Sequence, residues 1–244
     1  NNIFSALLGR FYTIQQAGYY SQGSKWTTMG YSTIFGMINS VGQPVFREAS
    51  EDTQRLQNIF RKLMRFTAFV SFPAMLGLAI VSQELIVISI TEKWLPCVPV
   101  MQILCVWGAF MPISTLYSNL MNSIGRPNIY MWNTIALGIF QLLCVWGSYP
   151  YGLNVMLIVY TAANIFWLLI WHYFAHKHIG ISLFNTLKDI APYLIISVAV
   201  MTFTYWVAGY VKNIYLSLLV KVALAASLYI FLMLSLIHIS EPTR

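Results

Sequence analysis

The sequence predicts an all-α integral membrane protein, a polytopic bundle of spanning helices. Of its 244 residues, 58% are hydrophobic and only 9% are charged, whereas soluble domains carry roughly 25% charged residues. The apolar residues form several long runs that are separated by short polar links. Because so few charges cannot cover a surface that faces water, the surplus apolar surface is expected to face lipid.

The apolar runs predict one truncated and seven complete spanning helices. The first run, residues 3–8, is too short to cross about 30 Å of hydrocarbon, which predicts that an upstream half is missing from the sequence. The small and polar residues of the next segment indicate that it faces other helices or a water-filled cavity. The complete spans are predicted at residues 23–46, 66–90, 100–123, 129–148, 153–173, 191–211 and 215–233.

Helix-breaking residues mark several boundaries within this pattern. Pro73 is expected to kink the span at 66–90, and Gln83 and Glu84 interrupt the same span near its end. The segments 125–128 and 149–152 contain Gly and Pro, which favour turns. These signals predict antiparallel neighbours joined by short links.

The last eleven residues differ in kind from the rest of the chain. They read LSLIHISEPTR, which matches the translation of a transposase-end adapter used in DNA sequencing libraries. Residues 234–244 are therefore interpreted as an artefact of sequencing and carry no functional inference.

The distribution of Lys and Arg predicts the orientation. Alternate links fall into two sets, and cytoplasmic links carry the excess of positive charge. The first set is therefore predicted to be cytoplasmic, and the net charge of +7 reflects topology rather than a nucleic-acid partner. The first set holds Arg47, Arg55, Arg61, Lys62, Arg65, Arg126, Lys177 and Lys188, and the second holds Arg10, Lys25, Lys93 and Lys212.

No catalytic or metal-binding constellation is present in the sequence. His172, His176 and His178 share one link but lack the nearby Cys, Asp or Glu ligands that a metal site would normally add. Neither a Walker loop nor a serine nucleophile elbow occurs. The sequence therefore predicts a protein that is not an enzyme and that uses no metal and no cofactor.

The informative residues are cations in or beside the spans. Burying a cation near the bilayer centre costs roughly 2.5–3.5 kcal/mol, so Arg10, Lys25 and Lys221 are candidates for a cationic cavity. The alternative for Lys221 is that its side chain extends to the membrane interface. Arg61, Lys62 and Arg65 are predicted to contact lipid headgroups. Aromatic and polar neighbours of Lys25 suit a sugar, and they are Tyr19, Tyr20, Gln22 and Trp26.

Three segments resemble bacterial oligosaccharide flippases. Gly9-Arg10 and the residues at 18–21, GYYS, resemble the link between the first two helices of the second half of these proteins. The segments at 92–108, EKWLPCVPVMQILCVWG, and 122–127, NSIGRP, resemble the Lys-Trp-Pro segment and the Gly-Arg-Pro turn that follow. The order and spacing agree with the Wzx-like branch of the multidrug/oligosaccharidyl-lipid/polysaccharide exporter superfamily. The sequence departs at Gln43-Pro44-Val45-Phe46-Arg47, where the family often has Arg-x-x-x-Pro.

The resemblance implies both architecture and function. The family has two six-helix lobes, often followed by two more helices, so residues 1–178 would be the C-terminal lobe and 179–233 the two additional transmembrane helices. It implies transport of undecaprenyl-diphosphate-linked oligosaccharide across the bacterial cytoplasmic (inner) membrane by alternating access. Arg10, Lys25 and Lys221 would meet the diphosphate. The implied partners are this lipid-linked oligosaccharide, membrane lipids, the N-terminal lobe of the same chain and the polysaccharide polymerase machinery.

Three rival functions are compatible with a membrane bundle. A multidrug/cation antiporter of the same superfamily would need an acidic cavity, but Glu84 and Asp189 are the only acids near spans outside the charged link at 47–65. A flippase for the lipid-linked peptidoglycan precursor would share the mechanism. A polysaccharide polymerase would need a large external loop with catalytic Arg or His residues, and no link here is long enough.

Overall fold

The protein folds into long, mostly antiparallel helices. The computed structural model describes residues 12–240, with side chains to residue 235, and this part of the chain contains helices and no strand. Two short 3₁₀ helices, Glu92–Cys97 and Tyr149–Tyr151, connect α-helices. The α-helices are α1 (Ile14–Glu48), α2 (Thr53–Ile80), α3 (Ser82–Ser89), α4 (Val98–Ser123), α5 (Pro127–Ser148), α6 (Leu153–Ile179), α7 (Leu183–Ala208) and α8 (Ile214–Ser240).

Six of these helices are long and apolar enough to cross a membrane. They are α2, α4 with the preceding 3₁₀ turn, α5 with the following 3₁₀ turn, α6, α7 and α8 to residue 235. The all-α membrane fold is therefore confirmed. Each of the seven predicted complete spans has its own long helix, but the first of them, α1, is not among the six because it is too polar.

The helix boundaries differ from the predicted ones where polar links are themselves helical. Most of the charged stretch after α1 belongs to α2, because Asp52 caps that helix by accepting hydrogen bonds from the backbone nitrogens of Gln54 and Arg55. The predicted span at 66–90 is divided between α2 and α3, with Val81 between them. The predicted polar link after 173 is short, because α6 continues to Ile179 and α7 begins at Leu183.

Contacts between links show that the helices alternate in direction. Ser123 donates a hydrogen bond to the carbonyl oxygen of Gln43 at 3.2 Å, and Gln57 donates to the carbonyl oxygen of Ile179. The α1–α2, α4–α5 and α6–α7 links therefore share one end of the bundle, here called the basic end. At the opposite end, the hydroxyl of Tyr12 donates to the carbonyl oxygen of Tyr149 at 2.8 Å.

The main core lies between α1, α2, α4 and α6. Its largest fully buried side chains include Phe46, Phe60, Phe72 and Met101. A separate small cluster joins α7 and α8 to α2 and includes Met201. The helices α7 and α8 therefore pack on the outside of α2, and α7 contacts the main core only with partly buried side chains such as Ile190 and Leu194.

Candidate functional site

One face of α1 is polar and unpacked along most of the helix. Its exposed positions recur every three or four residues, as expected for one side of a helix. We call this stripe the open face, and it covers about 39 Å at 1.5 Å per residue. Its members are Ser21, Lys25, Met29, Ser32, Gly36, Ser40, Gln43 and Arg47, and Met29 is the one large apolar side chain among them.

The open face differs in chemistry from the faces that suit lipid. On α5, the exposed side chains include Trp132, Ile139, Leu143 and Trp146, with the two tryptophans 65% and 70% exposed. Hydroxyl, amide and charged groups are costly in hydrocarbon because nothing there satisfies their hydrogen bonds. The open face of α1 is therefore suited to an aqueous cavity or a polar protein surface.

A polar groove lies at the basic end of this face. It has a volume of about 640 Å³ and runs between α1 and the end of α4. Arg47 supplies its positive charge, and Asn39 on its wall accepts a hydrogen bond from Asn119 at 3.1 Å. Of the residues that line this groove, none is acidic. The groove is therefore suited to an anion that also carries hydroxyl groups.

A second, smaller cavity lies between α1, α4, α5 and α6, and we call it the inner pocket. Its volume is about 250 Å³. Four aromatic side chains line it, namely Tyr20, Tyr31, Trp107 and Tyr160. Five polar side chains also line it, namely Ser24, Thr27, Thr28, Gln141 and Asn164. Among its lining residues none is charged, so the pocket is suited to a neutral, hydroxyl-bearing molecule.

The structure separates the predicted site residues from one another. Arg10 lies outside the described residues. Lys25 is exposed on the open face, and Tyr20 lines the inner pocket. Tyr19 packs edge-on against Trp94, with ring centroids 6.1 Å apart. Gln22 and Trp26 are half-buried, and Trp26 packs against the main core.

Lys221 is held in an ion pair on the other side of the bundle. Its ammonium lies 2.5 Å from a carboxylate oxygen of Glu84 and 2.8 Å from the carbonyl oxygen of Ile80. Ser217 donates to the same carboxylate oxygen at 2.8 Å. Because Glu84 neutralises Lys221, this cation fastens α8 to α3, and the alternative of an extension to the interface is not needed to explain it.

A second ion pair changes the interpretation of the charged start of α2. Arg61 makes two hydrogen bonds to the buried carboxylate of Asp189, at 2.6 and 3.1 Å, and Arg65 lies 3.6 Å from it. We expected Arg61, Lys62 and Arg65 to contact lipid headgroups. Arg61 instead connects α2 to α7 at the basic end, whereas Lys62 and Arg65 are exposed there and headgroup contact stays a prediction for them. The pairing of Arg61 with Asp189 could not be predicted from local sequence, because the two are 128 residues apart.

Two of the clustered histidines make structural contacts, His172 to the helix α4 and His176 to the link that follows its own helix. The Nδ1 atom of His172 lies 3.2 Å from the hydroxyl of Tyr117, and that of His176 lies 2.9 Å from the carbonyl oxygen of Ile181. Within the described residues, no group of three or more His, Cys, Asp or Glu side chains is placed to hold a metal ion.

The sequence analysis missed the inner pocket because its walls come from four helices. Gln141 donates a hydrogen bond to Asn164 at 2.8 Å, and Asn164 donates to the carbonyl oxygen of Tyr160 at 2.7 Å. The sequence did contain a signal for this pocket. Gln141 and Asn164 each place a carboxamide in the middle of an apolar span, and such residues usually face the bundle interior.

Comparison with known proteins shows what the chain is similar to. Residues 1–99 match a family described as "Polysaccharide biosynthesis protein". The chain is 28% identical over 140 residues to the "Lipopolysaccharide biosynthesis protein WzxC" of Escherichia coli (strain K12), which covers 57% of this chain and 28% of that protein. The chain is related to the Wzx-like polysaccharide flippases. The resemblance seen in the sequence is thereby confirmed.

Two further relatives extend this relationship. The chain is 30% identical over 110 residues to an "Uncharacterized membrane protein in cps region" of Klebsiella pneumoniae, covering 45% of this chain and 23% of that protein. It is 26% identical over 140 residues to the "Teichuronic acid biosynthesis protein TuaB" of Bacillus subtilis (strain 168), covering 57% and 29%. The chain thus spans less than a third of the length of each relative. No solved structure matches it significantly.

The relatives and the helices together define the class of protein. The chain is a multi-pass bacterial membrane protein, with six described helices that are long and apolar enough to span.

Proposed function

We propose that the full-length protein is a flippase that moves undecaprenyl-diphosphate-linked oligosaccharide from the cytoplasmic to the outer leaflet of the inner membrane. The glycan would be an O-antigen, capsule or exopolysaccharide unit, and alternating access would carry it without chemical change. The observation that carries this proposal is the open face of α1, a polar stripe with a cation near each end within a membrane bundle.

The physical problem that such a protein solves is the transfer of a charged sugar head through hydrocarbon. A desolvated diphosphate would pay a large electrostatic penalty, because ions lose their hydration in a medium of low dielectric constant. A water-filled cavity with fixed cations lowers that penalty. The open face of α1 has this composition, and its two cations, Lys25 and Arg47, are about 33 Å apart along the helix at 1.5 Å per residue.

The proposed architecture places this face toward a second lobe. Residues 1–178 would form the C-terminal six-helix lobe, and 179–233 would form the two added helices. The N-terminal lobe would stand opposite α1 and close the cavity. This arrangement explains why α1 leaves hydroxyl, amide and charged side chains unpacked on one side, while its other side, with Ile34, Ile38 and Phe46, enters the core.

The proposed binding residues follow from this geometry. Lys25 and Arg47 would meet the diphosphate at different stages of transport, and Arg10 stays a predicted third cation. Lys221 is left out of this set because Glu84 neutralises it. The polysaccharide polymerase machinery stays a predicted partner.

The paired acids disfavour the antiporter alternative. A cation antiporter needs a carboxylate that alternately binds a proton and a substrate. The two acids near spans, Glu84 and Asp189, are each held by a Lys or Arg side chain. Neither of them faces the open side of α1 as an available carboxylate. A flippase for the peptidoglycan precursor shares the mechanism. Rescue of a strain depleted of its own peptidoglycan-precursor flippase distinguishes this alternative.

The proposal predicts that cations on the open face are needed for transport. In a flippase-null strain with its own biosynthetic cluster, we expect the full-length gene to restore surface polysaccharide. Lys25→Gln and Arg47→Gln should each slow its appearance about fivefold at equal expression, because one unit charge at 4 Å in water contributes about 1 kcal/mol. Pulse-labelling of the surface glycan measures the rate.

The matched control is Lys212→Gln, which removes an exposed lysine in the link between α7 and α8. This variant should transport at the wild-type rate. Equal loss in all three variants would show that net charge matters and that the open face does not. Failure of the wild-type gene in this strain, with rescue of a strain depleted of its peptidoglycan-precursor flippase, would replace the proposed substrate with that precursor.

A further inference from the structure

The inner pocket has the composition of a site for one uncharged sugar residue. Stacking on aromatic rings and hydrogen bonding to amides and hydroxyls are the two contacts that a pyranose ring offers. Tyr31 and Trp107 supply aromatic surfaces, while Gln141 and Thr28 supply polar groups from different helices. These four side chains are half-buried, so they remain partly accessible.

The size of the pocket limits what it can hold. Its volume of about 250 Å³ is just below the range of about 300–1,000 Å³ found for drug-sized ligands. It equals the space of about eight liquid waters, at roughly 30 Å³ each. A single sugar residue is of this scale, whereas an oligosaccharide must extend beyond the pocket.

The charge of the pocket limits its ligand further. None of the side chains that line it is ionised at neutral pH. A diphosphate or a uronic acid carboxylate would therefore lose hydration there without gaining a cation, which is strongly unfavourable. A neutral sugar carries no such penalty.

The hydrogen bonds around Gln141 prepare one acceptor for a ligand. Asn164 is buried, its amide nitrogen donates to the carbonyl oxygen of Tyr160, and its oxygen accepts from the amide nitrogen of Gln141 at 2.8 Å. These two bonds fix the orientation of both carboxamides. Among the described hydrogen bonds, none uses the side-chain oxygen (Oε1) of Gln141. This atom is therefore left as an acceptor.

The pocket also lies beside the proposed transport path. Ser24 and Thr28 line it from α1, and Ser24 directly precedes Lys25 of the open face. The pocket and Lys25 are therefore neighbours along α1 but lie on different sides of the helix. This arrangement separates the recognition of a sugar ring from the recognition of a phosphate.

We propose that the inner pocket binds one neutral pyranose residue of the transported glycan and excludes acidic sugars from that position. This inference rests on the proposed function for the identity of the larger molecule. The binding itself needs only the described lobe, so it can be measured without transport.

The test uses the full-length protein in nanodiscs and saturation-transfer difference NMR. The probes are methyl glucoside, methyl galactoside, methyl N-acetylglucosaminide and methyl glucuronide. We expect at least one neutral glycoside to bind and the glucuronide to give no signal. Gln141→Leu and Thr28→Val, which keep side-chain size, should each weaken binding of the neutral glycoside about two- to tenfold, by the loss of a hydrogen bond.

Gln102→Leu is the matched control, because Gln102 is exposed on α4 outside the pocket, and it should leave binding unchanged. Lys25→Gln should also leave sugar binding unchanged while it slows transport. Absence of binding by every neutral glycoside would overturn the inference, as would glycoside binding that is unaffected by both pocket variants. Sugar binding without restored surface polysaccharide would keep the pocket and remove the flippase proposal.

Discussion

Lys221→Met should destabilise the protein by about 3–5 kcal/mol, the range for breaking a buried ion pair on one side. Both side chains of the pair are nearly inaccessible, with 7% of Lys221 and 8% of Glu84 exposed. Removal of the ammonium would leave the carboxylate of Glu84 with only the hydroxyl of Ser217 as a side-chain partner among the described contacts. Unfolding of the purified full-length protein in mixed micelles by SDS measures the change.

A double substitution separates two contributions to the loss of stability, the loss of the ion pair itself and the cost of leaving the carboxylate of Glu84 buried without a cation. The double variant Lys221→Met/Glu84→Gln removes both charges, so it should recover most of the lost stability. Arg55→Ala is the control, because Arg55 and Glu48 form an ion pair in which both side chains are more than half exposed. Exposed pairs contribute about 0.2–1 kcal/mol. If Lys221→Met cost no more than Arg55→Ala, the buried pair would not exist in the membrane.

Gly23→Val should destabilise the protein by about 2–3 kcal/mol, within the range for overpacking a tight interface. Gly23 is buried where α1 meets the start of α4. A Cβ atom there would lie 3.0 Å from a methyl of Val100 and 3.1 Å from the backbone nitrogen of Met101. The backbone cannot turn away as a flexible side chain can, so the two helices would have to separate. Thermal unfolding in detergent measures this effect.

Gly138→Val is the control for the glycine substitution. Gly138 lies within α5, and a Cβ atom there would meet nothing within 4 Å. Because valine forms helices at least as well as glycine, the stability should change by no more than about 0.5 kcal/mol, as at most surface positions. Equal losses at both positions would show that the close approach of α1 and α4 does not determine stability.

The polarity of α1 was readable from its residues, but its geometry was not. Its Ser, Thr, Gly and Asn content predicts a helix that avoids lipid. The pattern does not say which of these groups are buried against α4 and which are open. Asn39, for example, pairs with Asn119, whereas Ser40 next to it is exposed. Only the packing of α2 and α4 against α1 separates the open face from the core.

The two interhelical ion pairs show where sequence reasoning stops. Lys221 and Glu84 are 137 residues apart, and Arg61 and Asp189 are 128 residues apart. Each residue taken alone looked like a cavity cation, a headgroup contact or an isolated acid. Their pairing depends on α7 and α8 lying against α2 and α3, which is a tertiary choice that no local pattern encodes.

The sequence by itself determined the class of the protein, the number and order of its long helices and the family to which it is related. Those properties depend on composition, on runs longer than the hydrocarbon thickness and on local motifs, which are all local in the chain. Only the tertiary structure decided that Lys221 is neutralised, that Arg61 joins α2 to α7, and that Tyr31, Trp107 and Gln141 line one pocket. The physical reason is that charges, ring faces and carboxamides take their roles from the groups within a few ångströms, and in a helix bundle those groups come from distant parts of the chain.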